Sequence, residues 1–163
     1  MVFIFFITFI VVLRIAELLL SKRNERWLLQ QGAVEYGKKH YYLIVVMHIL
    51  FIISLLLEYD ILQPTEYSTS FLILYFVLLA LKAWVIATLG TFWNTKIFHI
   101  SAYPLVKNGP YKYIKHPNYI IVIAEIAVIP LIFHLFYTAV VFTLLNAIIL
   151  SVRIAEENKA LEM

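Results

Sequence analysis

The chain has 163 residues, of which 63% are hydrophobic and 14% are charged, and its formal net charge is +3. Soluble domains are about half apolar and about a quarter charged. This composition, with a mean hydropathy of +0.89, predicts an integral membrane protein of roughly four to six spans and excludes a separate soluble domain. The sequence has no cysteine, which excludes disulfides, thiolate metal sites and cysteine nucleophiles.

The first apolar segment runs from Val2 to about Leu20. It lacks a basic leading region and a small-residue cleavage site, so we predict a retained helix rather than a signal peptide. Arg14 and Glu17 lie three residues apart inside it, and this spacing lets an intramembrane charge pair partly neutralise itself. The polar loop of residues 21–40 begins with SKRNERWLLQQ, which predicts a continuation of the first helix along the membrane surface.

Two further spans are predicted at Tyr41 to Leu57 and at Phe71 to about Leu89. The connector between them, residues 58–70, is acidic, is broken by Pro64 and carries no lysine or arginine. The second span contains His48. Because the sequence has no HxxxH or HExxH spacing, we predict that no metal is bound.

The last apolar region, Tyr119 to Val152, is too long for one span of about 20 residues. Pro130 and His134 interrupt it, so we predict a tight helical hairpin with arms at residues 119–133 and 137–152. The fold class is therefore predicted as all-α and membrane-integral, with five transmembrane helices in a single domain, residues 1–163.

Charge in the loops predicts the orientation. Lysine and arginine are concentrated in residues 21–40 and 90–118, whereas the other two loops carry none. Basic short loops face the cytoplasm, so the N-terminus is expected outside and the C-terminus inside. The basic residues form no aromatic-rich basic face, and nucleic acid is not an expected partner.

The stretch GPYKYIKHPNY, Gly109 to Tyr119, is unusually rich in functional groups for a connector. Pro110 and Pro117 fix φ and hold His116 extended, just before a helix that we expect to start near Asn118 or Tyr119. The free backbone N–H groups of such a start suit a carboxylate or another anion. A plain interface turn rich in tyrosine and lysine is the alternative.

Charged residues also end the last helix. Arg153, Glu156 and Glu157 share one helical face, and Asn146, seven residues before Arg153, lies on it. The carboxylates suit an ammonium group and the guanidinium suits an anion; a solvated C-terminal turn is the alternative. Glu125, two turns into the fourth span, is interpreted as a structural partner of Arg14 or Lys82 rather than as a cavity residue.

These motifs resemble a known family. GPYKYIKHPNY is similar to the G-x-Y-x-x-x-R-H-P-x-Y signature of the isoprenylcysteine carboxyl methyltransferase family and its phospholipid methyltransferase relatives, and the tail from Arg153 to Glu157 resembles that family's R-x-x-E-E element. The pair Leu105 and Val106 and the segment TLGTFWNTKI at 88–97 also match, the latter looking like short bacterial members. The resemblance is sharp over about Thr88 to Leu161.

The resemblance implies S-adenosylmethionine as cofactor, with S-adenosylhomocysteine as product, bound by residues of about 88–163. Arg153 and Glu157 are the implied catalytic residues, and Arg153, together with Asn146 on the same face, is assigned to the substrate. Lys115 replaces the family's arginine and loses its planar fork, and Tyr103 stands where the family has histidine. The implied cofactor-binding residues are Tyr103, Pro104, Leu105, Val106, Tyr111, His116, Pro117, Asn118, Tyr119 and Glu157.

The resemblance further implies methyl transfer to a carboxylate or acidic hydroxyl, which arrives ionised and needs mainly alignment. The acceptor is expected to be a lipophilic small molecule that enters from the bilayer, and a membrane lipid or alkylpyrone-like polyketide is favoured over a prenylcysteine. Three alternatives stay open: phospholipid N-methylation, a nicotinamide-dependent reductase related to the sterol reductases, and a non-enzymatic membrane scaffold or transport subunit. The expected location is a bacterial or archaeal cell membrane.

The topology can be tested with reporters. A fluorescent protein that folds only in the cytoplasm, fused to the C-terminus, is expected to fluoresce, because the basic loops hold that end inside. The same reporter placed in the 58–70 connector is the matched control and is expected to stay dark. A dark C-terminal fusion with a fluorescent connector fusion contradicts the orientation.

Overall fold

The computed structural model describes residues 1–100, 103, 104 and 106–161, apart from the side chains of 39, 40 and 159–161. The described residues form five α-helices, two short strands and two 3₁₀ turns. The helices are α1 (Val2–Gln30), α2 (Lys38–Leu62), α3 (Thr69–Leu89), α4 (Pro117–Leu131) and α5 (Phe136–Leu161), the strands are β1 (Val34–Tyr36) and β2 (Ile97–His99), and the turns are Gly90–Phe92 and Gly109–Lys112.

The predicted helical membrane architecture is confirmed in outline. Four helices, α1, α2, α3 and α5, are long and apolar enough to cross a membrane. The shorter apolar helix α4 has 15 residues, a rise of about 22 Å against a hydrocarbon core of about 30 Å. The chain is therefore a multi-pass membrane protein, and the fifth crossing stays a prediction.

The two chain ends lie at opposite ends of the bundle. Near the start of α1, the ring of Phe3 stacks on Tyr59, which is close to the end of α2, with 3.6 Å between centroids. Phe3 also meets Phe133 in the turn between α4 and α5. Arg153, near the end of α5, instead contacts Thr95 in the segment after α3. We call the end that contains Arg153 the loop end.

The predicted continuation of the first helix is confirmed, since α1 runs to Gln30 without a break, and its placement along the membrane surface stays a prediction. The last turns of α1 hold the segment after α3 in place through hydrogen bonds. The buried Asn24 donates hydrogen bonds from Nδ2 to the carbonyls of Gly90 and Trp93, at 3.1 and 2.7 Å. Ser21 Oγ lies 3.0 Å from Asn94 Oδ1 and 2.8 Å from Thr95 Oγ1.

The all-α prediction missed a small antiparallel ribbon. Strands β1 and β2 pair with Val34 opposite His99 and Tyr36 opposite Ile97. Each strand has three residues, too few for an alternating pattern to be recognised in the sequence. The ribbon links the end of α1 to the loop after α3, so it is part of the frame of the loop end.

The predicted hairpin of α4 and α5 is confirmed. The carbonyl of Pro130 accepts from the amides of Phe133 and Leu135, each at 3.0 Å, and His134 adopts the left-handed conformation with φ of 57°. Glu58 at the end of α2 caps the free N–H groups at the start of α5, accepting from Tyr137 at 3.1 Å and Thr138 at 2.8 Å. This cap fixes α5 against α2.

A buried ion cluster joins α1, α3 and α4. Glu125 Oε2 accepts from Arg14 Nη2 at 2.8 Å and from Lys82 Nζ at 2.6 Å. Glu17 lies 2.8 Å from Arg14 and 3.0 Å from Lys82. Glu125 is therefore a partner of both cations proposed for it from the sequence. With two cations and two carboxylates, the cluster is neutral as a unit.

Removing one charge from this cluster is expected to destabilise the bundle. Glu125→Gln leaves Arg14 and Lys82 to share Glu17, and breaking a buried pair typically costs about 3–5 kcal/mol. Titration of the protein in mild detergent with dodecyl sulfate, followed by circular dichroism, measures the loss of stability.

The double variant Lys82→Met with Glu125→Gln is the matched control. It removes one charge of each sign and is expected to recover part of the stability. Unfolding of Glu125→Gln at the wild-type detergent fraction contradicts a stabilising role.

Candidate functional site

Three adjoining cavities occupy the loop end and the bundle beneath it. The loop cavity, about 670 Å³, lies under the Gly109–Lys112 turn. The membrane cavity, about 420 Å³, extends between α1, α2, α4 and α5. The junction, about 120 Å³, shares wall residues with both. Its residues in common with the loop cavity include Phe92, Tyr111, His116 and Glu157, and those in common with the membrane cavity are Trp93, Asn94, Asn118, Tyr119 and Arg153.

Most of the predicted cofactor residues line the loop cavity. They are Tyr103, Pro104, Val106, Tyr111, His116 and Glu157. Asn118 and Tyr119 line the junction instead. Pro117 is buried at the first position of α4 and shapes the helix start. Leu105 lies outside the described residues.

Gly109 sets the position of the loop above α3. Its φ is +55°, in the left-handed region that favours glycine. A Cβ atom there would lie 2.7 Å from Thr88 Oγ1 and 3.1 Å from Thr88 Cγ2. The backbone of the 109–112 turn therefore rests directly on the last turn of α3, next to Leu89, Tyr111 and Lys112, which line the loop cavity.

The start of α4 lies one residue before the earlier of the two predicted positions. His116 is the N-cap without a side-chain cap, and Pro117 is the first helical residue. The amides of Asn118 and Tyr119 belong to the first turn, whose N–H groups have no partner within a helix. The rings of His116 and Tyr119 stack with centroids 5.4 Å apart. The helix start lacks a side-chain cap, and the binding of an anion there stays a prediction.

A chain of hydrogen bonds crosses the junction. Tyr119 donates its hydroxyl to Glu157 Oε2 at 2.5 Å and accepts from Arg153 Nε at 2.9 Å. Arg153 Nη2 donates to the carbonyl of Thr95 at 2.5 Å. His116 Nδ1 lies 3.6 Å from the same oxygen of Glu157. Tyr119 thus links Glu157 to Arg153, the two residues that the R-x-x-E-E spacing predicts on one helical face.

The phenol of Tyr111 faces this arrangement from the loop side. Burial, and then the negative charge of Glu157, raise the pKa of Tyr111 to about 12. A raised pKa keeps the hydroxyl protonated at neutral pH. Tyr111 is therefore a neutral hydrogen-bond donor in the cavity wall, which a ligand acceptor atom can use.

Several buried polar atoms around the cavities have no hydrogen-bond partner in the described part of the chain. They are Trp93 Nε1, His116 Nε2, Asn118 Oδ1 and both amide atoms of Asn146. Buried polar atoms are nearly always paired in native proteins. All four residues line at least one of the three cavities, so these atoms are available to a ligand.

Asn146 and Arg153 do share one face, since both line the membrane cavity. Sequence reasoning missed Trp93, Asn94 and Thr95, which line it beside them. The only signal for these three was the TLGTFWNTKI segment. Their position depends on Ser21 and Asn24 of α1, more than sixty residues earlier in the chain, and no local pattern encodes such a contact.

Lys115, which replaces the family's arginine, lies at the outer rim. Its ammonium donates to Asn158 Oδ1 at 2.7 Å, and this contact is exposed. The residue also lines the loop cavity. In the described part of the chain it makes one bond to the last helix, and that bond needs no planar bidentate group.

The helices and cavities define a class: a multi-pass membrane protein with a loop-end pocket and an intramembrane pocket, and a small junction that shares wall residues with both. A family model described as "Isoprenylcysteine carboxyl methyltransferase (ICMT) family" matches residues 70–163. The chain belongs to this family, which confirms the resemblance seen in its motifs. Membership implies a membrane methyltransferase.

Two bacterial relatives are similar along nearly the whole chain. The "Uncharacterized protein YpbQ" of Bacillus subtilis (strain 168) is 41% identical over 158 residues, covering 96% of this chain and 94% of that protein. An "Uncharacterized protein" of Haemophilus influenzae (strain ATCC 51907 / DSM 11121 / KW20 / Rd) is 32% identical over 155 residues, covering 93% and 90%. No solved structure matches the chain significantly.

Gly109→Ala tests the contact between the loop and α3. The backbone strain of a left-handed alanine costs about 1–3 kcal/mol, and the new methyl group also collides with Thr88. We expect a lower thermal unfolding temperature in detergent and faster proteolysis of the 106–116 segment.

Gly32→Ala is the matched control, because Gly32 has φ of +82° but nothing within 4 Å of an added Cβ. It is expected to show only the backbone part of the loss. Equal losses in the two variants contradict the close approach, whereas partial rescue of Gly109→Ala by Thr88→Ala supports it.

Proposed function

We propose that the protein is an S-adenosylmethionine-dependent methyltransferase that binds its cofactor in the loop cavity and a lipophilic acceptor in the membrane cavity, with methyl transfer in the junction. The observation that carries the proposal is that the junction shares wall residues with each of the two cavities. Tyr119, Arg153 and Glu157 all line the junction, and this space meets both cavities. Methyltransferases of this family generally use S-adenosylmethionine, which agrees with the arrangement.

The loop cavity suits this cofactor by size and by chemistry. Its volume of about 670 Å³ lies in the range of small-molecule sites. The free N–H groups at the start of α4 suit the cofactor's carboxylate. Glu157 suits its ammonium group, and the unpaired His116 Nε2 offers a further polar contact. When bound, the cofactor supplies a methyl group activated on a sulfonium.

The protein's own contribution is alignment of the acceptor. Arg153 is 7% exposed, and Tyr119 and Thr95 hold its Nε and Nη2 atoms. In the described part of the chain this leaves Nη1 for an acceptor oxyanion at the junction. A guanidinium held at two points positions such an oxygen without losing further rotamer freedom. Glu157 orders Tyr119 and so holds Arg153 indirectly.

A buried cation at the transfer point favours an oxygen acceptor over an amine. Arg153 attracts a carboxylate or an ionised acidic hydroxyl, whereas it repels the ammonium form of a phospholipid headgroup. We therefore propose O-methylation of a small lipid, such as an alkylpyrone-like polyketide. The cavity opens among apolar side chains of α1 and α2, which suits entry of the acceptor from the bilayer. The cofactor then enters from the cytoplasm.

Binding of S-adenosylhomocysteine, measured by calorimetry on purified protein in detergent, tests the cofactor site. Glu157→Ala and His116→Ala are each expected to weaken binding about tenfold or more, because a hydrogen bond to a charged group is lost. Glu66→Ala, which removes an exposed carboxylate in the connector between α2 and α3, is the matched control and is expected to bind normally. Unchanged affinity in both site variants refutes the proposed pocket.

Arg153→Ala separates acceptor binding from cofactor binding. Its affinity for S-adenosylhomocysteine is expected to stay close to wild type, while transfer of labelled methyl from the cofactor into a total lipid extract falls at least about tenfold. Loss of cofactor binding in this variant reassigns Arg153 to the cofactor pocket. The labelled product of the wild-type reaction identifies the acceptor.

A further inference from the structure

Asn146 is a buried amide in the wall of the membrane cavity, and it has no hydrogen-bond partner among the described residues. It is 1% exposed and lines that cavity. Neither its nitrogen nor its oxygen is hydrogen-bonded to any described residue. A buried amide without a partner is costly, since it has lost water and gained nothing in exchange. Its side chain is therefore suited to a polar group of a ligand.

The depth of Asn146 follows from the geometry of α5. It precedes Arg153 by seven residues, two helical turns, which is about 10 Å along the axis. Because two turns restore the same face, both side chains point into one cavity. A ligand that reaches Arg153 with one polar end therefore passes Asn146 about 10 Å deeper in the bundle.

His48 lies at a similar depth on the facing helix. A hydrogen bond of 2.7 Å between Ser54 and Thr138 fixes the alignment of antiparallel α2 and α5. His48 comes six residues before Ser54, and Asn146 comes eight residues after Thr138. At a rise of 1.5 Å per residue, they lie about 9 and 12 Å from that bond, within one turn of each other. Both residues line the membrane cavity.

One ring nitrogen of His48 is hydrogen-bonded to the backbone. Its Nδ1 lies 2.8 Å from the carbonyl oxygen of Ile44, which only accepts, so in the neutral ring Nδ1 carries the proton. Nε2 is then an acceptor. Asn146 adds one donor group and one acceptor, so this level of the cavity can bind a hydroxyl or a carbonyl.

The ion cluster at the depth of Asn146 is neutral as a unit, so it does not require a charged ligand group. Glu125 follows Tyr119 by six residues, about 9 Å along α4, so the cluster is as deep as Asn146. Arg14, which lines the cavity, is neutralised together with Lys82 by Glu17 and Glu125. An uncharged polar group therefore fits here better than an ion.

We propose that the acceptor carries a second, uncharged hydrogen-bonding group, a hydroxyl or a carbonyl, about 10 Å from the oxygen that is methylated, and that Asn146 binds this group. The inference rests on the proposed function, which places a lipophilic acceptor in the membrane cavity. It narrows the substrate class from any lipophilic acid to one with a polar group in mid-chain, so an alkylpyrone qualifies only if its alkyl chain carries such a group. An acceptor without that group leaves the amide unpaired and binds about tenfold more weakly.

Three fatty acids of equal length test the subsite: stearic acid, stearic acid with a hydroxyl in mid-chain, and stearic acid with the hydroxyl at its far end. Affinity is measured in nanodiscs by displacement of the fluorescent fatty acid cis-parinaric acid. Wild type is expected to bind the mid-chain hydroxy acid about tenfold more tightly than either of the others. Equal affinities mean that water satisfies the amide, and they overturn the proposal.

Asn146→Leu keeps the side-chain volume and removes the polar atoms. It is expected to lose the preference for the mid-chain hydroxyl, so that its affinities for the three acids become equal. Leu144→Met, on the outer face of α5 where Leu144 is 61% exposed, is the matched control and is expected to keep the preference. A preference that survives in Asn146→Leu overturns the assignment to Asn146. If this variant does not fold, the wild-type comparison of the three acids decides.

The same measurements separate this inference from the proposed function. Fatty-acid displacement needs no cofactor, so it reports on the membrane cavity alone. S-adenosylhomocysteine binding reports on the loop cavity. Absence of cofactor binding with an intact mid-chain preference refutes the methyltransferase proposal and leaves the subsite standing. Normal cofactor binding with no preference among the three acids refutes the subsite only.

Discussion

One carboxylate oxygen of Glu125 lies between two cations inside an apolar bundle, and the arrangement of the helices depends on it. A charged group within a membrane-spanning bundle is costly unless it has a partner, and these charges pair with one another. Arg14 comes from α1 and Lys82 from α3, so the three helices have one mutual position in which every charge is paired. Helix α3 ends and helix α4 begins at the loop cavity. The contacts of Glu125 with Arg14 and Lys82 therefore fix the distance between the two helix ends that hold the loop.

The loop end is built on that frame by polar contacts rather than by its own secondary structure. Among its described residues, the long segment between α3 and α4 contains only one short strand and two 3₁₀ turns. Asn24 holds its first turn through two backbone carbonyls, and Thr95 offers its carbonyl to Arg153. The guanidinium that we assign to the acceptor is thus positioned by the end of α1 as much as by its own helix. Substrate alignment and loop structure share the same contacts.

Features encoded by local pattern could be predicted from the sequence, and features that need distant partners could not. Hydropathy and Pro130 define the spans and the hairpin, and the spacing of Arg153 and Glu157 predicts their shared face. Glu125 could be interpreted because charged partners inside the spans are few. The sequence pattern places Glu58 in an acidic connector, whereas in the structure it caps α5. That role depends on contact with a helix about eighty residues later in the chain, and no sequence periodicity predicts such a contact.

The small size of the junction restricts which atoms can meet there. Its volume is about 120 Å³, against about 670 Å³ and 420 Å³ for the two cavities that it adjoins. A space of that size can hold a methyl group and the two atoms between which it moves, whereas the rest of each molecule must lie in the larger cavities. Under the proposed function, an acceptor is modified at the oxygen that reaches the junction while its apolar body stays in the membrane cavity. On that proposal, the place where the two cavities adjoin selects which oxygen is methylated.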